Sequence, residues 1–201
     1  GARTHAQWQE MLARIGSGDV DILVGTQMMA KGHDFPALTR VCVLGADAAL
    51  HAADVRAGER LFQQLMQVGG RAGRGALPGR VLIQTAFPGH WLFPCVLDHD
   101  FDSFAVQELE LRAQAGFPPF SHQAMLRADA PDYTIAETFL QHARRLALEL
   151  APDSVRVFDV VPMRLVRLAR RERGQLLIEA DRRPPLQAFL GRWMADLHAL
   201  R

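Results

Sequence analysis

The chain has 201 residues, 49% of them hydrophobic and 22% charged, a balance that supports a buried core and excludes a mostly disordered or fibrous protein. No run approaches the roughly 18 uncharged apolar residues of a membrane span, and Gly1 to His5 lead into polar residues instead of a signal-type apolar core. Cys42 and Cys95 form no CxxC pair and the eight histidines show no HxxxH or HExxH spacing, so neither a disulfide framework nor a metal site is expected and a reducing cytoplasm fits. The chain opens on Gly1, and its first methionine is Met11. A processed start or a piece of a longer protein is the expectation.

Net charge is +1 overall, yet it is unevenly spread. Residues 1–110 hold nine basic and twelve acidic side chains, a balance of −3, whereas residues 111–201 hold fourteen and ten, a balance of +4. Arginine supplies all the basic side chains except Lys31. That usage fits nucleic-acid contacts or a codon bias, so only local clusters carry weight.

In chain order, Trp8, Met11, Leu12 and Ile15 predict a helix over His5 to Ile15, ended by Gly16-Ser17-Gly18. Val20 to Val24, Val41 to Leu44 and Arg80 to Gln84 predict short buried strands, with a helix over Arg56 to Val68 carrying Leu61, Leu65 and Val68 on one side. Buried strands alternating with helices predict an α/β layer with a parallel sheet. A helix over Phe101 to Ala115 is stopped by Gly116-Phe117-Pro118-Pro119, the expected boundary between two units. Beyond it the pattern changes to β-α-β-β-β-α, a small α+β sandwich. Its strands are expected at His122 to Arg127, Val155 to Val160, Arg164 to Arg170 and Gln175 to Ala180, and its helices at Asp132 to Leu150 and Pro184 to Leu200. The first of those helices should bury Ile135, Phe139, Ala143, Leu146 and Leu150.

Two segments carry the densest chemical signal. Gln67-Val68-Gly69-Gly70-Arg71-Ala72-Gly73-Arg74-Gly75 sets two arginines among small residues, where guanidinium forks can approach phosphate oxygens closely. Taken bare, the run equally fits a solvated helix end with Gly as its stop. Gly25 to Pro36 follows the first expected strand, and in it Thr26, Gln27 and Lys31 offer hydroxyl, amide and ammonium groups to a phosphate backbone. Asp34 suits a ribose hydroxyl. A plain turn, with Gly32 at positive φ and Asp34 as a helix cap, remains the other reading.

Together these segments resemble motifs V and VI of superfamily 2 helicases. Asp21 to Met28 running into Ala30 to Pro36, then Asp47 to His51, Asp54-Val55-Arg56, Glu59-Arg60 and Gln67 to Arg74, narrow the resemblance to the PriA-type primosomal replication-restart helicases. The helix at Phe104-Ala105 and Glu108-Leu109, the Phe117-Pro118-Pro119 break and the basic hairpin resemble that family's C-terminal domain.

The resemblance implies a second RecA-like lobe over residues 1–100 and a C-terminal domain over 101–201. The latter would comprise a linking helix (101–116) and an α+β sandwich (117–201) short of a last strand. It implies an ATP-dependent DNA helicase that recognises stalled or branched replication forks, restarts replication through primosome assembly, and works in the bacterial cytoplasm in association with the nucleoid. Arg74 would be the arginine finger, beside Arg71; Gln67, Gly32 and Asp34 would serve the nucleotide, and Thr26, Gln27 and Lys31 the DNA. Implied partners are branched and single-stranded DNA, single-stranded-DNA-binding protein and other primosome proteins, with no membrane. ATP and Mg2+ would be held mainly by a first lobe, since no GxxxxGK[ST] loop or acidic box occurs in this sequence. The family's zinc ligands are absent here too. A different class, a non-catalytic DNA-structure or protein-binding module on a helicase-like scaffold, fits the same residues.

In the C-terminal part Arg164, Arg167, Arg170, Arg171, Arg173, Arg182 and Arg183 crowd a hairpin expected to turn at Arg171-Glu172-Arg173-Gly174. Strand alternation splits them between faces, so only the tip, Arg170, Arg171 and Arg173, is expected to meet DNA. A solubilising hairpin is the alternative. Asp47, Asp54 and Glu59 are expected to pair with Arg56 or Arg60, Cys42 to be a small buried hydrophobe, and Trp8, Trp91 and Trp193 to pack.

Overall fold

Two four-residue strands, β1 (Arg40–Val43) and β2 (Arg80–Ile83), pair in parallel, Arg40 opposite Arg80 and Val43 opposite Ile83. The computed structural model describes residues 5–25, 35, 38–52, 54–70, 78–168 and 170–198, the side chains of 5 and 164–168 apart. It divides into two compact units, Gly1–Glu108 and Leu109–Arg201.

Parallel partners need a crossover. Here α2 (Asp47–Leu50) and α3 (Ala57–Gly69) supply it. Leu61, Phe62 and Leu65 of α3 are buried against Ala46, Leu92, Phe93, Val96 and Phe104. The last four come from α4 (Leu92–Leu97) and α5 (Phe101–Ala115). Phe62 stacks on Phe104 with ring centroids 4.1 Å apart, and Trp91 stacks on the same ring at 5.5 Å. The sequence pattern missed Phe62, α2 and α4. The two short helices are single turns whose apolar residues have no room to show a period.

α1 (His5–Gly16) forms where expected, with Trp8, Met11, Leu12 and Ile15 half-buried. Val20 to Val24 does not form the expected buried strand. The segment is irregular, with Ile22 80% and Val24 89% exposed, and it joins neither β1 nor β2. An apolar run becomes a strand only when a ladder partner takes its backbone groups. Cys42 is exposed instead of buried, because burial alternates along β1 and leaves the Arg40–Cys42 side uncovered.

The second unit is β3 (His122–Ala130), α6 (Tyr133–Leu150), β4 (Val155–Leu168), β5 (Arg171–Ala180) and α7 (Arg183–His198), with β5 central in an antiparallel sheet of order β3-β5-β4. Three strands replace the four expected. Val155 to Leu168 is one strand whose register slips between Val157 and Val160 and between Pro162 and Arg167. Those irregularities make one long strand read as two short ones. The turn also moves: Leu168 pairs with Arg171, so Arg171 to Gly174 lie inside β5.

α6 starts at an Asp132 cap whose Oδ1 accepts the Thr134 N–H at 2.7 Å, a bond that also lowers the Asp132 pKa. Its buried residues are Ala136, Leu140, Ala143 and Ala147, the last three packed in one core with Leu176, Ile178, Phe189 and Trp193. The expected face is rotated at its amino-terminal half, where Ile135 is 59% and Phe139 41% exposed, whereas Ala143 is buried and Leu146 and Leu150 pack half-buried against the same core as expected. Alanines face the sheet because the helix lies close to it, and Gly174 beneath marks that closeness, since a Cβ there would fall 2.7 Å from Leu140 Cδ1. Trp193 is buried, and its indole N–H donates to the Ala143 carbonyl at 3.0 Å, fixing α7 on α6.

This rotation is directly testable. Leu140→Ala should cost about 2–5 kcal/mol of unfolding free energy in urea, and Ile135→Ala only about 0.5 kcal/mol. Equal costs would restore the face read from the sequence.

Candidate functional site

At the carboxyl edge of the parallel pair, the segments leaving β1 and β2 are bonded together. Gly45, at φ 68°, donates its N–H to Gln84 Oε1 at 3.3 Å, and the Gln84 N–H donates to the Val43 carbonyl at 2.9 Å. Asp47, in the first turn of α2, accepts the Thr85 hydroxyl and, at 2.9 Å, the Ala86 N–H. Those bonds, the Thr85 hydroxyl first, hold its pKa below the ordinary carboxylate value. Asp47 was expected to pair with Arg56 or Arg60 and pairs with neither.

The other two expected acids behave as anticipated. Glu59 takes the Arg56 guanidinium on both oxygens, at 2.6 and 3.1 Å, and raises its pKa. Asp54 accepts the Arg56 N–H at 2.9 Å and Arg60 Nη1 at 2.7 Å. One carboxylate thus serves both the amide at the start of α3 and a side chain one turn along it. From this clamped start the helix runs to Gly69, placing half-buried Gln67 in its last turn.

At the amino edge the described residues are those that follow the two motif segments in sequence. The chain that enters β1 comes directly from Gly25 to Pro36, and the chain that enters β2 comes directly from Gln67 to Gly75. Where the two strands begin, the Arg80 N–H donates to the Thr39 carbonyl at 2.9 Å. Thr26, Gln27, Lys31, Gly32, Asp34, Arg71 and Arg74 themselves lie outside the described residues. Among the described residues no group of three or more His, Cys, Asp or Glu is arranged to hold a metal ion, so no step is derived through Mg2+ or zinc.

On the second unit Arg170 takes φ 65° and is exposed, as the two-position connection between Leu168 and Arg171 requires of a central residue. Arg171 is spent inside the sheet. Its Nε meets Asp129 Oδ2, and Nη2 donates to the Asp129 carbonyl at 2.7 Å. Arg173 stands opposite Asp129 in the ladder. The three arginines expected at a tip are thus one turn residue and two strand residues. Sequence spacing missed Gln84 and Thr85 altogether, since a bond spanning 38 or 39 positions leaves no local pattern.

A short parallel layer with its crossover helix, followed by a separate three-stranded antiparallel unit under two helices, is the architecture of a helicase-type C-terminal lobe with an appended α+β domain. Residues 1–76 match the helicase conserved C-terminal domain, and residues 113–201 match the primosomal protein N C-terminal domain. The replication restart protein PriA of Synechocystis sp. is 40% identical over 169 residues, 84% of this chain and 20% of that protein. Those of Rickettsia typhi and Haemophilus influenzae are 37% and 38% identical, over 96% and 89% of this chain and 30% and 24% of theirs. The chain belongs to the PriA family of replication restart proteins. It spans about a fifth to a third of the length of the curated relatives it matches. No helix among the described residues is long and apolar enough to cross a membrane.

The Asp47 bonds imply a signed pH dependence. A lowered folded pKa contributes stability above the unfolded carboxylate value of about 4, which is lost as pH falls through the folded value. Asp47→Asn should flatten the fall of the urea midpoint below about pH 4. An acid profile identical to the parent's would remove Asp47 from the linkage.

Proposed function

We propose that residues 1–100 are the second RecA-like lobe and residues 101–201 the C-terminal domain of an ATP-dependent DNA helicase. The intact protein recognises stalled or branched forks and restarts replication through primosome assembly in the bacterial cytoplasm, associated with the nucleoid. Its partners are branched and single-stranded DNA, single-stranded-DNA-binding protein and other primosome proteins. In this reading Arg74 is the finger that neutralises charge developing on the γ-phosphate, with Arg71 beside it. Gln67, Gly32 and Asp34 serve the nucleotide, while Thr26, Gln27 and Lys31 meet the DNA backbone. ATP and Mg2+ are bound mainly by a first lobe outside these 201 residues.

The observation that carries this reading is the match of residues 1–76 to the helicase conserved C-terminal domain together with that of residues 113–201 to the primosomal protein N C-terminal domain. The strands that follow the two motif segments in sequence, β1 and β2, pair in one parallel ladder, an arrangement that suits coupling of hydrolysis to strand movement.

In the intact protein Arg74→Ala should lower kcat for ATP by about 10³-fold or more with a smaller change in KM, and Arg74→Lys should restore little. A variant within about threefold of the parent kcat would mean the finger lies elsewhere. For the C-terminal unit, Arg170→Ala should weaken binding of a fork-shaped oligonucleotide more than Arg171→Ala, because Arg171 is already held by Asp129. The reverse order in a salt titration would place the DNA on the strand and not on the turn.

A further inference from the structure

The β1–β2 ladder begins with two like charges opposite each other, Arg40 and Arg80. Register partners in a sheet project to one face with their backbones about 4.8 Å apart, so these stems run side by side. Both residues are exposed, on the uncovered side that also carries Cys42, Leu82 and Leu44. Among the described residues neither guanidinium has a hydrogen-bond or ion-pair partner, in contrast to Arg56, Arg60, Arg144, Arg156 and Arg171.

Like charges facing each other destabilise a ladder. In the ladders of the second unit the sequence does the opposite: Arg173 faces Asp129 and Arg156 faces Glu179. A repulsive pair with all its donors unspent is what an oxyanion would relieve. A bridging phosphate accepts from both forks and turns the repulsion into two charge-assisted contacts. The pair also borders the Arg80–Thr39 bond, and the apolar strip of Cys42, Leu82 and Leu44 continues from it along the same face.

We propose that Arg40 and Arg80 form a phosphate-binding pair, taking a phosphate group of a nucleic-acid strand or of a free nucleotide. Neither residue belongs to the motif segments, so the pair stands or falls separately from the roles given to Arg74 and Lys31.

The test uses the whole chain with two probes, a fluorescent single-stranded oligonucleotide and inorganic tripolyphosphate. Arg40→Ala with Arg80→Ala should lower oligonucleotide affinity about tenfold and reduce the slope of log K against log salt by about 0.7 for each lost contact. Arg80→Glu should lose as much binding while leaving the thermal midpoint at or above the parent's, because Arg40 then faces an opposite charge. A merely structural role would not separate those two readouts. Loss confined to the oligonucleotide assigns the pair to a nucleic-acid backbone, whereas loss for tripolyphosphate as well assigns it to a free nucleotide's phosphates. The proposal is overturned if the parent chain binds neither probe at low salt, or if the double variant and Arg80→Glu keep the parent's affinity and slope for both.

Discussion

Parallel pairing of β1 with β2 obliges the chain between them to return along the full length of the ladder. That return is α3, and its direction sorts the unit into two edges with different tasks. At the carboxyl edge Gly45, Asp47, Gln84 and Thr85 spend their polar groups on one another, so this edge is closed by bonds within the fold. At the amino edge the strands begin with Thr39, Arg40 and Arg80, and each strand is fed by one of the motif segments. A single hydrogen-bond pattern therefore decides which polar groups are consumed and which remain for chemistry.

Burial and ion pairing divide the work of holding α3. Its two ion pairs are well formed but exposed, with Arg56 and Arg60 at 55% and 60% side-chain exposure. Pairs of this kind are worth about 0–1 kcal/mol each. Burying Leu61, Phe62 and Leu65 contributes about 1.5–3 kcal/mol per side chain, and the Phe62–Phe104 and Trp91–Phe104 stacks add to it. The helix is thus held by its apolar stripe, while Asp54 and Glu59 set where it starts and which way it points. Orientation matters more than strength at that end, because Gln67 sits in the last turn of the same helix.

The elements legible in the sequence were those whose period survives without tertiary help. α1, α3, α5, α6 and α7 all appear close to their expected bounds, since a 3.6-residue repeat over ten or more positions is a local signal. The errors have tertiary causes. α6 presents a wide apolar arc, and periodicity chose the side with the larger residues, Ile135 and Phe139. Packing kept Ala143, which the period had included, but at the start of the helix it chose Ala136 and Leu140, the latter seated over Gly174 where no Cβ blocks it. In β4 the register shifts broke the alternation, so one strand read as two and the turn was displaced by a few residues. Val20 to Val24 had the composition of a strand but no ladder partner. Of the candidate site, the acid–arginine clamp was readable from spacing. The Asp47–Thr85 bond and the Arg40–Arg80 pair were not, because both depend on a register that only the folded ladder sets.

The second half of the chain carries a balance of +4, yet that surplus is not a uniform field. Glu179 is only 7% exposed, and a carboxylate so buried must be matched or it destabilises the fold strongly. Arg156 matches it at 2.8 Å, with Gln123 at 2.6 Å and Ser121 at 3.3 Å, and Asp181 takes the same guanidinium at 2.9 Å. Arg171 is likewise committed to Asp129, and Arg144 to Asp159 at 2.8 Å. A guanidinium committed in this way would have to give up its carboxylate before it could bind a phosphate. Screening over about 10 Å at 0.1 M salt leaves distant charges little influence. What a polyanion meets is therefore decided residue by residue, and Arg170, exposed at positive φ, is one of the arginines that present the surplus, as are the exposed Arg127, Arg145, Arg182, Arg183 and Arg192.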